Sequence, residues 1–266
     1  MTLTRKLFLL LAILSVLPLS AGSIIPGAAP PPDCAAGSLA SYIGLGSRGC
    51  SVDQFRYSDF DFGVLYSSTN NPATLIASES TITISPPASI LESIQIRSDL
   101  FSVAAGDRVV YLFHYLIDPP PPILPGYDME MFTETPVAPG LAKAQAFLCP
   151  GGVGQPQFGG SPALVTSLLC ASFQEQVFIS PYVLNVFHNG GLTGNQLSDG
   201  TIFANPTNQV DVWIQLDLDA RNGGSSQIKG IGNNVPYLAD EPVPEPGSLV
   251  LLGAGLSALS LLRRRR

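Results

Sequence analysis

Two histidines and a few closely spaced carboxylates are the side chains of this 266-residue chain that could do chemistry. His114 lies in a strand-like run, on the face that carries Val110, Leu112 and Leu116. A general base or a metal ligand is one interpretation, and a hydrogen-bonded strand histidine is the favoured one. His188 directly precedes Asn-Gly-Gly, so it is predicted to be a surface residue at the edge of a turn.

Two pairs of carboxylates have a spacing that does not exclude the paired-carboxylate catalysis of a glycosidase. Asp59 and Asp61, and likewise Asp217 and Asp219, lie two residues apart, which on a strand places both on one face about 7 Å apart. The favoured interpretation is a solvated outer face of a sheet. Loose calcium binding is an alternative of low specificity, either through Asp217 and Asp219 or through Asp128, Glu130 and Glu134.

Motifs for nucleophilic catalysis and phosphate binding are missing from the sequence. It has no Gly-x-Ser-x-Gly elbow, and its glycine-rich stretches lack the Gly-Lys-Ser/Thr of a phosphate-binding loop. We therefore predict no catalytic residue, no bound metal and no cofactor.

Four cysteines, Cys34, Cys50, Cys149 and Cys170, allow three disulfide pairings. The local pairs Cys34–Cys50 and Cys149–Cys170 are favoured, because each encloses a glycine-rich segment that needs constraint. Buried free thiols are the alternative. Zinc is less favoured, because the sequence has no Cys-x-x-Cys spacing and only two histidines.

The charge is distributed unevenly along the chain. Six of the 13 basic residues lie in the two terminal segments, whereas all 20 acidic residues lie between Asp33 and Glu245. The body between those segments therefore has seven basic residues against 20 acidic ones, a net charge of −13. A body this acidic is not expected to bind nucleic acid, which requires clusters of Lys and Arg.

Short runs of alternating polar and apolar residues, separated by turn signals, predict an all-β fold, an antiparallel β-sandwich. The clearest strand is 210–219, with a fully apolar inner face and a polar outer face that carries Trp213. Exposed on that outer face, Trp213 could stack on a sugar ring. The stretch 126–134 is expected to be irregular, and residues 150–154, which lie between Cys149 and Cys170, are expected to form a flexible loop.

Both ends of the chain have the composition of targeting segments. Arg5 and Lys6 precede an apolar run of eleven residues, 7–17, which predicts a secretory signal peptide. At the other end, residues 247–262 contain no charged side chain and predict a membrane helix about 24 Å long. This length is marginal for a bilayer core of roughly 30 Å. The four arginines that follow favour the cytoplasmic side.

The C-terminal segment resembles the PEP-CTERM protein-sorting signal of Gram-negative bacteria, which is also catalogued as an ice-binding-protein C-terminal domain. The residues that carry the resemblance are Val243, Pro244, Glu245, Pro246, Gly247, Arg263, Arg264, Arg265 and Arg266. The resemblance implies export and transient anchoring in the inner membrane. It also implies processing by an exosortase-type enzyme. We do not predict ice binding, because the chain lacks a repeated threonine ladder.

These observations predict a non-enzymatic cell-surface or matrix protein. It would cross the membrane through the Sec translocon, be anchored before processing, and then reach the cell surface or the extracellular space, where exopolysaccharide is a candidate partner. Alternatives are a carbohydrate-binding module, a secreted carboxylate-dependent hydrolase, or a permanently anchored protein whose tail is not cut. The predicted organisation is signal peptide 1–23, Pro-rich spacer 24–33, extracytoplasmic β-sandwich domain 34–232, linker 233–246, transmembrane helix 247–262 and arginine cluster 263–266.

Overall fold

The computed structural model describes residues 30–52, 55–86, 94–118, 124–132, 140–172, 177–189 and 195–235. From residue 31 onward these residues belong to one compact unit. The predicted signal peptide, the transmembrane helix and the arginine cluster lie outside the described residues. So do all residues of the sorting segment.

Strands dominate the described part of the chain, and one short helix, α1 (Leu39–Ile43), is followed by a 3₁₀ turn at Gly46–Arg48. The first strands are β1 (Gly37–Ser38), β2 (Cys50–Val52), β3 (Phe55–Ser68), β4 (Thr83–Ser85), β5 (Ile94–Arg97), β6 (Ser102–Val103), β7 (Arg108–Asp118), β8 (Leu124–Phe132) and β9 (Leu141–Pro150). The remaining strands are β10 (Gly152–Gly159), β11 (Leu164–Ser172), β12 (Val177–Ile179), β13 (Val183–His188), β14 (Ser198–Thr207), β15 (Val210–Asp219), β16 (Ser226–Gln227) and β17 (Gly230–Asn234).

These strands form two six-stranded sheets and two smaller ones, and all of the pairings between named strands are antiparallel. The main sheet has the order β13-β9-β15-β7-β3-β2, and the facing sheet has the order β1-β4-β5-β17-β8-β14. We call the three-stranded sheet β10-β11-β12 the cover sheet; β16 and β6 form a two-stranded ribbon. The prediction of an all-β fold with antiparallel sheets is confirmed.

The principal core lies between the main and facing sheets. Alternate residues of β15 and β7 supply one side of it, and β4, β5 and β8 supply the other. Large aromatic side chains fill the space: Tyr111 and Tyr115 of β7 and Tyr127 of β8 are each at most 1% exposed. Burying side chains of this size provides much of the driving force for folding.

A second, smaller core lies on the other face of the main sheet, under the cover sheet. Phe147 of β9 and Leu112 of β7 pack there against Val165 and Leu168 of β11, with Trp213 partly buried at its border. The main sheet is therefore covered on both faces over parts of β9, β15 and β7. The prediction that the outer face of 210–219 is solvated is wrong, because the cover sheet lies over it.

Two segments that we expected to be irregular are strands. The acidic stretch 126–134 lies largely in β8, where Tyr127, Met129 and Met131 point into the core while Asp128 and Glu130 alternate outward. Most of the expected flexible loop 150–154 is also strand, because Pro150 ends β9 and residues 152–154 begin β10. Its glycines and prolines suggested a loop, yet Gly154 is needed in the strand, since a Cβ there would lie 2.7 Å from the Leu168 side chain.

Strand β17 runs past the predicted domain boundary at 232 and ends at Asn234, in the segment predicted as linker. It occupies a central position, paired with β5 on one side and β8 on the other. Strand β17 could not be recognised from the sequence, because it is rich in Gly and Asn. Gly232 is required there, because a Cβ would lie 2.7 Å from the Phe132 ring.

Candidate functional site

Trp213 lies at the centre of the outer face of the main sheet, between His114 of β7 and Phe147 of β9 in the cross-strand register. The indole ring stacks on the His114 imidazole, with ring centroids 4.2 Å apart and an angle of 27° between the planes. The indole N–H is enclosed and has no hydrogen-bond partner among the described residues. One face of the ring is therefore covered, which does not suit an open platform for a sugar.

His114 is hydrogen bonded, as the favoured interpretation of the sequence had it. Its Nε2 donates to Asp211 Oδ1 at 2.5 Å, and the side chain of Asp211 is only 2% exposed. The other carboxylate oxygen of Asp211 accepts the backbone N–H of Gly154 in β10 at 2.6 Å. Asp211 thus joins β7 of the main sheet to the cover sheet through one buried carboxylate. We had not singled out this residue from the sequence.

Polar side chains of β15 make two further contacts on this face. The Gln215 side-chain carbonyl accepts the Val165 backbone N–H at 2.8 Å, which fixes β11 over β15. At the far end of the strand, the Arg108 guanidinium donates to both carboxylate oxygens of Asp217, at 2.9 and 2.7 Å. This hydrogen bonding outweighs burial and raises the pKa of Arg108 above its ordinary value.

Each carboxylate of the two candidate pairs has a hydrogen-bond partner within the fold. Asp217 is bound by Arg108, and Asp219 accepts from Arg221 at 2.6 Å. Burial alone would raise the pKa of Asp219, but hydrogen bonds and charge from Arg221 outweigh it and lower the pKa. Asp59 has a positive φ of 53° and lies within a register shift of β3. Asp59 and Asp61 therefore do not keep the regular spacing of alternate residues along a strand.

His188 is the last residue of β13 and is 8% exposed, so the prediction of a surface turn residue is wrong. Burial lowers the pKa of this imidazole, because the charged form loses its hydration. The Asn-Gly-Gly signal in the sequence explains the error: His188 precedes this signal but still belongs to the strand.

Asp128, in the acidic stretch on β8, lies near Asp199 of the neighbouring strand β14. Burial, and then the nearby charge of Asp199, raise its pKa. Asp199 accepts the Asn185 backbone N–H at 2.7 Å, which links β14 to β13 at the edge of the two large sheets. Within the described ranges, no group of three or more His, Cys, Asp or Glu side chains could hold a metal ion.

Asp107 is a second buried carboxylate that the sequence did not reveal. It is fully buried immediately before β7 and accepts the Asn70 and Asn71 backbone N–H groups, the former at 2.7 Å. Burial tends to raise its pKa, but these bonds and one from the Thr74 hydroxyl outweigh burial and lower it. The carboxylate thereby fastens loop 69–75 to the start of β7.

The cysteines form the two local disulfides that the sequence favoured. Cys34 and Cys50 have Cα atoms 4.9 Å apart, and Cys149 and Cys170 have Cα atoms 5.7 Å apart. The first bond holds the N-terminal segment against β2, and the second joins β9 to β11 of the cover sheet. A small cavity of about 140 Å³ adjoins the first bond and is lined by Tyr42 among others. Burial raises the pKa of Tyr42 to about 12.

None of the helices in the described ranges is long and apolar enough to cross a membrane. A family model described as the PEP-CTERM protein-sorting motif matches residues 242–266. The chain therefore carries this sorting motif at the positions where the resemblance was found. A comparison with curated proteins found no match.

Among solved structures, the chain is similar to TmCBM61, a carbohydrate-binding module solved in complex with β-1,4-galactotriose. The identity is 7%, the TM-score is 0.27, and the match covers 66% of this chain and 88% of that one. At this TM-score the similarity supports no conclusion about a ligand for this chain.

Proposed function

We propose that this chain is an exported surface or matrix protein that an exosortase-type enzyme processes at its C-terminal motif. The observation that carries the proposal is the sorting motif at residues 242–266. Two further features support it: the disulfides fit an oxidising compartment, and the acidic body fits a soluble product that does not bind nucleic acid.

The proposed sequence of events begins with the signal peptide 1–23 and passage through the Sec translocon. Residues 247–262 then hold the chain in the inner membrane, with Arg263 to Arg266 on the cytoplasmic side. The processing enzyme cuts near Pro244-Glu245-Pro246 and releases the body to the surface or the extracellular polymer. The body acts there without catalysis, as a structural or adhesive component.

Expression of the full-length chain in a host with its exosortase tests this proposal. In one variant Pro244, Glu245 and Pro246 are each replaced by alanine, which leaves the apolar segment and the arginines intact. We expect the wild-type product at the surface with an intact mass that lacks the tail. We expect the triple variant uncut in the inner membrane, because the anchor remains but the recognition residues are lost.

Asp240→Asn is the matched control, because it alters the linker close to the motif and should be processed normally. A second variant that lacks residues 243–266 should never be retained in the membrane. Equal mass and equal fractionation of the wild type and the triple variant would contradict the proposal. They would support the permanently anchored alternative if the tail is present in both.

A further inference from the structure

The outer face of the cover sheet is apolar and exposed. Val153 of β10 is 53% exposed, and Val177 and Ile179 of β12 are 62% and 67% exposed. Cross-strand register places Val153, Ala171 and Val177 in one row and Gln155, Leu169 and Ile179 in the next. The opposite face of the sheet, with Leu168 and Cys170, is buried against the main sheet.

The described strands β10, β11 and β12 also carry no charged side chain. Between Lys143 and Asp199 the sequence has a single Asp, Glu, Lys or Arg residue, Glu175, which lies outside the described residues. The body as a whole is strongly acidic, with a net charge of −13. Two copies of such a body repel each other, and that repulsion is least where their uncharged faces meet.

Most strand edges in the described part of the fold are protected. The N-terminal segment covers β2 through a bridge from Asp33 to Ser51, and residue Gln196 bridges to Phe187 of β13. Strand β14 has a register shift and contains Pro206. Prolines, irregular registers and covering segments are the usual means of preventing edge-to-edge association.

The two edges of the cover sheet differ from each other. Strand β10 contains Pro156 and a register shift at Gln157, and its Gly154 N–H is bound by Asp211. Strand β12 has no proline, charge or register shift, and no strand in the described ranges pairs with its outer side. It is the less protected of the two edges.

The backbone of β12 is oriented for further pairing. The Ser180 N–H donates to Leu168 O at 2.8 Å, so this residue directs its N–H toward β11. N–H groups along a strand alternate in direction, so those of Val177 and Ile179 point away from β11. These two residues therefore present both their donors and their acceptors at the open edge.

We propose that the open edge of β12 binds the same edge of a second copy of this chain, giving a two-fold symmetric dimer. Val177 of one copy pairs with Ile179 of the other, and the two cover sheets join into one six-stranded antiparallel sheet. The two-fold axis passes beside residue 178. The exposed apolar rows then continue from one copy into the next, so the side chains of Val177 and Ile179 contact those of the partner copy.

The outer face and open edge of the cover sheet fit a second copy better than a different protein, because they can pair with an identical face and edge. A two-fold interface places one surface against itself, so a charged surface would face its own charge. The uncharged face of the cover sheet avoids this repulsion, and paired β12 edges satisfy each other's hydrogen bonds. Aliphatic rather than aromatic side chains dominate the face, which favours a protein partner over a sugar polymer.

Cysteine cross-linking of the full-length chain tests the pairing register. Val177→Cys and Ile179→Cys variants with different tags are exported together in one cell. Directly opposed residues in a hydrogen-bonded antiparallel pair have Cα atoms about 5.5 Å apart, which is within disulfide range. In the proposed dimer, the Cα atoms of residue 177 in the two copies are farther apart than the disulfide limit of about 7 Å. We expect mixed disulfide dimers several-fold in excess of either self-dimer on a non-reducing gel.

Sedimentation of the full-length chain in a mild nonionic detergent tests the interface itself. We expect Ile179→Lys to weaken association about tenfold or more, since each dimer then buries two lysines. Ile202→Lys on β14, where Ile202 is 77% exposed, is the matched control and should leave association unchanged. Added salt should tighten the wild-type dimer, because it screens the repulsion between two acidic bodies.

Thermal unfolding of both lysine variants shows whether each one is folded. A wild-type chain that remains monomeric at all concentrations overturns the proposal. Equal association of folded Ile179→Lys and wild type also overturns it, as does cross-linking that is no greater for the mixed pair than for either variant alone.

Discussion

Asp211 has a structural role in the fold that its sequence context does not indicate. In the sequence it is one of several polar residues on the outer face of a strand. In the fold its two oxygens bind His114 and the Gly154 N–H, and its side chain is 2% exposed. His114 Nε2 is thereby engaged by a buried carboxylate, and the imidazole also stacks on Trp213.

Replacing Asp211 with alanine should lower the free energy of unfolding by about 1–3 kcal/mol, because the buried Gly154 N–H loses its acceptor. Asp211→Asn should cost less, since one carbonyl oxygen remains. Urea unfolding measures both values. Asp61→Asn is the control, because Asp61 is exposed and should change the free energy little.

Asp107 gives the protein a specific sensitivity to acid. Its pKa is lower in the folded chain than the ordinary value of 3.8, so its contribution to stability is present above that value. The contribution is lost as the pH falls through the folded pKa. We expect Asp107→Asn to be less stable than wild type at neutral pH, with a difference that narrows as the pH falls below about 4.

Urea unfolding at a series of pH values measures that difference directly. Asp99→Asn serves as the control, because the Asp99 side chain is 93% exposed and its replacement should not alter the pH dependence. A difference between Asp107→Asn and wild type that does not change with pH would count against this role of the carboxylate.

At the level of elements, the cover sheet is held to the main sheet by a few identifiable contacts. These are the bonds of Asp211 and Gln215, the disulfide Cys149–Cys170 and the small core around Phe147. The large core between the six-stranded sheets does not include the cover sheet. Local opening of the cover sheet is therefore separable from global unfolding.

Replacing Cys149 and Cys170 by alanine should release the cover sheet before the rest of the fold. Loss of a disulfide that closes a loop of 21 residues costs about 3 kcal/mol. We expect faster hydrogen exchange for amides of β10 and β11, with the amides of β7 and β15 much less affected. Replacing Cys34 and Cys50 instead should leave exchange in β10 and β11 unchanged, since that bond lies at β2.

Much of the fold could be predicted from the residue pattern, since β15 alternates clearly between apolar and polar residues and β7 is a mostly apolar run between Arg108 and Asp118. The burial of the outer face of β15 could not be predicted. Asp and Gln residues such as Asp211, Gln215 and Asp217 occur on solvated faces as well as on buried faces where they are hydrogen bonded. Strand β17 was hidden by its Gly and Asn residues, which are needed for close contact with neighbouring side chains. The sorting segment was recognisable because its signal lies in the order of its residues rather than in a tertiary contact.

At the level of the whole molecule, β17 has a consequence for the order in which the protein can be assembled. This central strand of the facing sheet ends at Asn234, and only nine residues separate it from Pro244, where the Pro-Glu-Pro motif begins. For a chain exported with its N-terminus first, β5 and β8 leave the translocon before the strand that joins them. The facing sheet can then close only when translocation is nearly complete, just as the apolar tail reaches the membrane.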